Sequence, residues 1–550
     1  MKIGVVIKGI YCIFVNCLVL IPLNGNAQEM IRPVQRTILL SGNFGELRAT
    51  HFHSGIDIRT GGVEGLPVVC VKEGRLARVR VSPVGYGQAL YVEHADGTTT
   101  VYGHLQRFIP RIASVVRELQ YQNKSFELDA DVTSQNLHFK QGDTIAFSGN
   151  SGSSGGPHLH FEVRDTRTEC TLNPLLYYKI ADQKPPVVKS VYLYTRTENG
   201  CVDLYRQGNV KALGNGRYNG GMYTIPAGKV GVAVYAIDYM NDSWNKLGIY
   251  KMQLFTSRDT LFSMSVDTCT FGQPCYINEM KDFERYKRQE TVYRCFGHFQ
   301  NEIPGVQNRR GGWIEVAKDS TVVVSIQLQD INGNISRLNF SLKGGTPKSD
   351  TVSESDLLRY DRAYHLKFAG GHLELDSAAL LTSVKKAQRV EKDTVNGRDI
   401  FVLSEKDIPL LRKGRLFLEG KYEKNALICE LGSDGRRFPV ATHWQDTGLA
   451  ADIAYLNRYT VVQDSLPPTI LYLGRFPDRT LRFRIKDEFS GITSFRGEVN
   501  GQWCLFSYDP RVNLMQCSMA EPVFKPGNNV VRVIVEDRAG NKNEVVVNVK

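Results

Sequence analysis

The sequence predicts a mainly β protein, made of antiparallel strands joined by short turns. Three observations predict it. Short apolar or alternating runs recur along the chain, and 50 glycines and 21 prolines supply the turns between them. Asp96-Gly97 between two such runs is a strong hairpin signal. The later part of the chain also repeats itself: Asp182-Gln-Lys-Pro185-Pro186-Val-Val returns as Asp464-Ser-Leu-Pro467-Pro468-Thr-Ile, each ahead of an alternating apolar strand.

In chain order, Lys2 and Lys8 precede an apolar run from Gly9 to Leu23, and Asn24 to Ala27 supplies small residues at a cleavage site. This reads as a secretory signal peptide over 1–27, since the run is short for a bilayer span. Thr37–Leu40 reads as a first strand, followed by strands within Val68–Val81 and over Ala89–Glu93, with turns at Gly74 and at Gly85-Tyr86-Gly87. The Thr98–Tyr102 strand delivers His104 at its end, and His94 falls on the turn side as a surface residue. Pro110 opens an amphipathic helix over 110–121, because Ile112, Val115, Val116 and Leu119 share one face. Its expected place is the sheet exterior rather than a lid. Thr144–Phe147 is a strand. Loop 148–157 is made of glycines and serines, and no Gly-Lys-Ser/Thr follows that would cradle a phosphate.

From residue 181 the pattern is that of β-sandwich hairpins. Val324–Asp330-Ile-Asn-Gly333-Asn334 parallels Val531–Asp537-Arg-Ala-Gly540-Asn541, and Val232–Asp238 ends a strand in the same way. Turn chemistry explains these Asp and Asn residues more simply than calcium does. Residues 344–356 read as a linker. Beyond it, Tyr364–Phe368, Arg415–Leu418 and Ala426–Cys429 read as strands of a further β-rich unit, with a short helix at Lys385-Lys386. The expected units are 28–180, 181–345, 346–462 and 463–550.

Seven of the 11 histidines fall before residue 161, where glycines are also dense. His158 and His160 are two apart in a strand-like run, so both imidazoles share a face while Leu159 and Phe161 take the other. His53 and Asp57 bracket Ser-Gly-Ile, a bend that brings both side chains together. His53, Asp57 and His160 would then make a His₂Asp set. Three protein ligands with an open position is the arrangement of catalytic rather than structural zinc. His51, two before His53, is an alternative register for the first ligand.

Residues 41–164 resemble the lysostaphin-type (LytM-like) zinc metallopeptidases. The matching residues are Asn43-Phe44-Gly45, Arg48, His53-x-x-x-Asp57, Tyr102-x-His104-Leu105, and Gly149-x-x-Gly152-x-x-x-Gly156-Pro157-His158-Leu159-His160-Phe161-Glu162. The resemblance implies Zn²⁺ on His53, Asp57 and His160. It implies His104 and His158 as the pair that activates water or steadies the tetrahedral intermediate, a compact antiparallel β fold with a narrow groove, and peptidoglycan as substrate. The segment from His104 to Gly142 is longer than the family leads one to expect. The later hairpins resemble bacterial immunoglobulin-like modules.

Cleavage after Ala27 removes two lysines and no acid, lowering the formal charge from +11 to +9. Such a protein suits the periplasm or cell envelope with its anionic polymers, and no transmembrane segment remains. No basic-aromatic stripe points to nucleic acid. Nine cysteines remain, Cys269/Cys275 and Cys504/Cys517 being the simplest local pairs. The function these features predict is an exported zinc endopeptidase of peptidoglycan. The alternatives are a non-catalytic envelope regulator of other wall hydrolases, or an adhesive protein whose modules bind an envelope partner.

Overall fold

A computed structural model describes residues 29–270, 276–348, 352–394, 397–445 and 447–550. The leader and Cys275 lie outside them. Among the described residues no helix is long and apolar enough to cross a membrane.

The chain is mainly β, in successive antiparallel sheets. The first sheet runs in the order Leu40–Gly42, Ile56–Arg59, His158–Asp165, Thr98–Phe108, Gln88–His94, Gly74–Val81 and Leu128–Asp131. Its strands alternate as the period-2 pattern requires: Leu159, Phe161 and Val163 are fully buried on one face. The face they leave carries the histidines.

Four expectations need correction. The first strand is Leu40–Gly42 rather than Thr37–Leu40, because pairing begins only where Leu40 meets Ile58. His104 lies inside the Thr98–Phe108 strand, not at its end, and takes φ 57°. His94 is buried rather than on the surface: its ring nitrogens are tied to the Glu73 carbonyl (2.9 Å) and Thr100 Oγ1 (2.9 Å). Val384–Lys385 pairs with Leu357–Leu358 as a two-residue strand, so no helix forms at Lys385-Lys386.

The expected helix spans Pro110–Asn123, with Pro at its start and Lys124 closing it in the left-handed conformation. Ile112 and Val116 sink into the sheet core, which accounts for the extra length between His104 and Gly142. The helix covers the sheet exterior as expected, and its outer side meets a later part of the chain: Arg117 pairs with Glu521 at 2.9 Å, and Tyr121 packs edge-on to Trp503.

After residue 180 come pairs of sheets. Val187–Arg196, Val202–Asn209 and Gly228–Ile237 form one sheet; Arg217–Pro226, Thr321–Gln329 and Ile335–Gly345 belong to the one facing it. Arg217–Pro226 and Ile335–Gly345 run parallel, an exception among the antiparallel pairs. Two more pairs of sheets follow, over Tyr364–Gln463 and Thr469–Val549. A single hydrophobic core runs from Met30 through the first sheet to Leu342. The first sheet and the following pair are therefore packed as one body, and Thr171–Leu172 pairs directly with Thr268–Cys269. Cys504 and Cys517 are buried with Sγ atoms 3.3 Å apart, as free thiols in contact.

Candidate metal centre

The register builds the site. Asp57 stands opposite His160, and His160 stands opposite Gly103, so three adjacent strands bring Asp57 and His160 into one row with Gly103, and His104 follows next in the chain with a left-handed backbone. His53 enters from the bend before Ile56. His53, Asp57 and His160 are all buried, and each offers one ligand atom within 4.8 Å of the others. His53 Nε2 lies 3.1 Å from Asp57 Oδ1, His160 Nδ1 lies 3.0 Å from the same oxygen, and the two nitrogens are 3.2 Å apart. His51 stays exposed beside Thr50 and takes no part.

Each ligand is held by a second contact. His53 Nδ1 faces the Asn43 carbonyl at 2.8 Å; a carbonyl only accepts, so Nδ1 carries the proton and Nε2 presents its lone pair. His160 Nε2 faces Glu162 Oε1 at 2.9 Å, which leaves Nδ1 toward the site. Arg48 donates to Asp57 Oδ2 at 2.9 Å, which leaves Oδ1 turned toward His53 and His160. Glu162 is itself saturated by Ser54, Tyr86 and Arg164. Tetrahedral zinc ligands at roughly 2.0–2.1 Å stand about 3.3 Å apart. Two imidazole nitrogens and a carboxylate oxygen at 3.0–3.2 Å, each with its outer contact satisfied, fit such an ion.

The electrostatics follow from burial and contact. Burial would raise the Asp57 carboxyl, but the imidazoles of His53, His158 and His160 gathered around it hold it well below its ordinary range. Burial depresses His53. Burial also opposes charge on His160, yet its bonds to Asp57 and Glu162 prevail and raise it to about 9 in the metal-free site. Glu162 is held down to about 2, since the His160 bond and the Arg164 charge outweigh its burial.

His104 and His158 flank the cluster, ring centroids 4.8 Å apart. His104 Nδ1 donates to the Ser151 carbonyl at 2.8 Å and His158 Nδ1 to the Gly156 carbonyl at 2.8 Å, so both direct Nε2 into the groove. Burial, then the charges of His160 and His158, push His104 down to about 3 and keep it neutral. Its left-handed backbone costs about 1 kcal/mol and is held by the bond from its N–H to the Tyr86 carbonyl.

The five expected residues thus come together, and two kinds of contributor were not foreseen. Glu162 had a readable signal, as it is two residues after His160 on the same strand face. The other contributors are distant: Gly248 exchanges two hydrogen bonds with the Asn43 side chain (2.7 and 2.8 Å), while Cys269 and Thr270 line the groove opposite Gly155. No local spacing connects them to the site.

Part of the site falls within a match to a known family. Residues 51–120 match the model of Peptidase family M23; this stretch holds His53, Asp57 and His104 and stops before His158 and His160. A DD-carboxypeptidase/endopeptidase Mpg of Neisseria meningitidis serogroup B is 30% identical over 118 residues, which is 22% of this chain and 21% of that protein. An uncharacterized metalloprotease of Haemophilus influenzae is 29% identical over 110 residues, 20% of this chain and 18% of its own. The chain spans about a fifth of the length of these curated relatives. A zinc-containing peptidase from Vibrio cholerae is a structural neighbour at 26% identity and TM-score 0.19, covering 25% of this chain and 36% of that one. At residues 51–120 the chain carries a LytM-like Peptidase family M23 domain.

Proposed function

We propose that the protein is an exported zinc metalloendopeptidase that hydrolyses peptide bonds of peptidoglycan, in its cross-links or stem peptides. The observation that carries the reading is the convergence of His53, Asp57 and His160 beneath two further histidines. His53 Nε2, Asp57 Oδ1 and His160 Nδ1 would hold the ion. Bound zinc would polarise the scissile carbonyl and lower the pKa of water. Holding the ion would require His160 Nδ1 without a proton. His104 and His158 both turn Nε2 to the groove. One of them takes the proton of the attacking water, and the resulting imidazolium stabilises the negative charge that develops on the carbonyl oxygen. The glycines and serines of 149–156 leave room for an extended peptide against the groove. The later sheet pairs, read as immunoglobulin-like modules, would position the enzyme on the wall or an envelope partner.

The test is incubation of purified peptidoglycan with the zinc-loaded full chain, followed by mass analysis of released fragments. The proposal expects soluble peptides cut at one bond type; intact sacculi after prolonged incubation would overturn it. A second reading, an envelope regulator without turnover, draws on one contact. Arg511 of the last unit donates to the carbonyls of Asn150 and Ser154, in the loop that leads into His158. Zinc bound without hydrolysis would favour that reading.

A further inference from the structure

The last two-sheet unit holds a second cluster of candidate ligands, remote from the histidines in sequence. Asp464 precedes its first strand, Asp487 follows the Thr480–Lys486 strand, and Asp537 ends the Asn529–Asp537 strand. Each turns one carboxylate oxygen toward a common point, the three lying within 4.8 Å of one another. Turn chemistry accounts for two of them. Asp537 caps the Gly540-Asn541 turn by accepting from the Asn541 amide (2.9 Å) and its side chain (2.8 Å). Asp487 accepts from the Phe489 and Gly491 amides (3.0 and 2.6 Å).

Asp464 is different. It is 96% buried, being 4% exposed, and its Oδ2 has no hydrogen-bond partner. A buried carboxylate oxygen without a partner, set among two other carboxylates, loses several kcal/mol of hydration with nothing to replace it. The local charge works against it as well: Asp537 is raised above its ordinary value by burial and then by the charges of Asp464 and Asp487. A bound cation resolves all of this at once.

The first two-sheet unit repeats the design. Asp182, Asp238 and Asp330 occupy the corresponding places, and Asn334 bonds Asp330 and the Asp182 carbonyl just as Asn541 bonds Asp537 and the Asp464 carbonyl. There too one carboxylate oxygen, Asp238 Oδ1, is buried without a partner. The turn scaffold thus recurs in both units, while the three carboxylates that converge within 4.8 Å, with the orphan on Asp464, are those of the last unit.

We propose that Asp464, Asp487 and Asp537 form a calcium site. All-carboxylate oxygen donors select a hard cation, and an irregular three-carboxylate set completed by water suits calcium better than octahedral magnesium. The site lies at a joint: the Asp464 amide donates to the Asn425 carbonyl at 3.0 Å, and Phe489 and Ala539 pack on Leu427, Cys429 and Val462 of the preceding unit. Calcium here braces the last unit against the one before it.

The test is calorimetric titration of calcium into the full chain, in resin-treated buffer with one equivalent of zinc present throughout. Wild type is expected to bind one calcium more than Asp464→Asn. In calcium-free buffer Asp464→Asn is expected to melt no lower than wild type, because it removes an unpartnered charge, so failure to fold does not confuse the result. Asp537→Asn provides a second variant. Equal calcium stoichiometry in wild type and both variants, or no calcium bound by wild type, would overturn the proposal.

Discussion

At the scale of single residues, the site depends on side chains that never touch the metal position. His104 and His158 have their Nδ1 atoms fixed by carbonyls, so replacing either with alanine should spare zinc binding while lowering kcat by about 10²–10⁴-fold; steady-state kinetics beside zinc analysis checks this. Glu279, buried in the second body of sheets, supplies a pH prediction. Burial raises it to about 7, with the Arg294 charge and nearby amides offsetting only part. Its folded pKa lies above the unfolded value, so the folded state keeps a proton that the unfolded state releases. Stability is therefore lost as pH rises from about 4.5 to about 7 and levels off above. Glu279→Gln should leave stability near wild type at pH 4.5 and raise it at pH 8 by up to about 3 kcal/mol, measured by denaturant unfolding. An equal effect at both pH values would contradict the assignment. The convergence of the candidate ligands was legible in the sequence because a strand places His158 and His160 on one face and a short bend joins His53 to Asp57. Glu162 obeys the same rule and could have been read; the contacts of Asn43 with Gly248 and of Tyr86 with Glu162 could not, since those partners are far away in the chain.

At the scale of elements, the loop from Asn43 to His53 is the feature to test. It has little regular structure of its own, yet it carries a ligand. The second body of sheets pins it at three points. Gly248 bonds the Asn43 side chain in both directions. The fully buried Lys281 donates to the carbonyls of Arg48 and Ala49 at 2.6 Å each. Val266 closes over Gly45, where φ is 73° and an added Cβ would stand 1.9 Å from the valine side chain. Asn43→Ala leaves its own carbonyl to hold His53 Nδ1 but strips Gly248 of both bonds. The expected result is a 10–100-fold loss of zinc affinity, read by competition with a chelator, with the four site histidines and Asp57 intact. An unchanged affinity would show that the loop holds itself. The helix over 110–123 was legible from its apolar spacing; its second role, as the platform for Glu521 and Trp503, was not, because its outer face reads as ordinary solvated surface.

At the scale of the whole molecule, the chain folds back on the histidine-bearing first sheet from both sides. The sheets after residue 180 share its core, and the last unit rests on its helix and on the loop before His158. The mainly β class was legible throughout, since it rests on local alternation and turns. The return of residue 511 to residue 150 was not, because it rests on contacts between surfaces that each look complete alone. Arg511→Ala removes the donor that ties Asn150 and Ser154, and Ser154 Oγ lies 3.2 Å from His158 Nδ1. One such bond contributes roughly 1 kcal/mol, so kcat/KM on peptidoglycan should fall about 2–10-fold with zinc content unchanged. A large rise in activity would instead identify the contact as a restraint on turnover.

The central claim is that His53, Asp57 and His160 form a zinc centre that performs hydrolysis. The most direct measurement is zinc per chain and fragment release from peptidoglycan, taken on the same preparations of the full-length mature protein and its His160→Ala variant. The account predicts one zinc and steady release for the wild type, and loss of both in the variant. Release at the wild-type rate from His160→Ala, or a wild-type protein that binds no zinc, would contradict it.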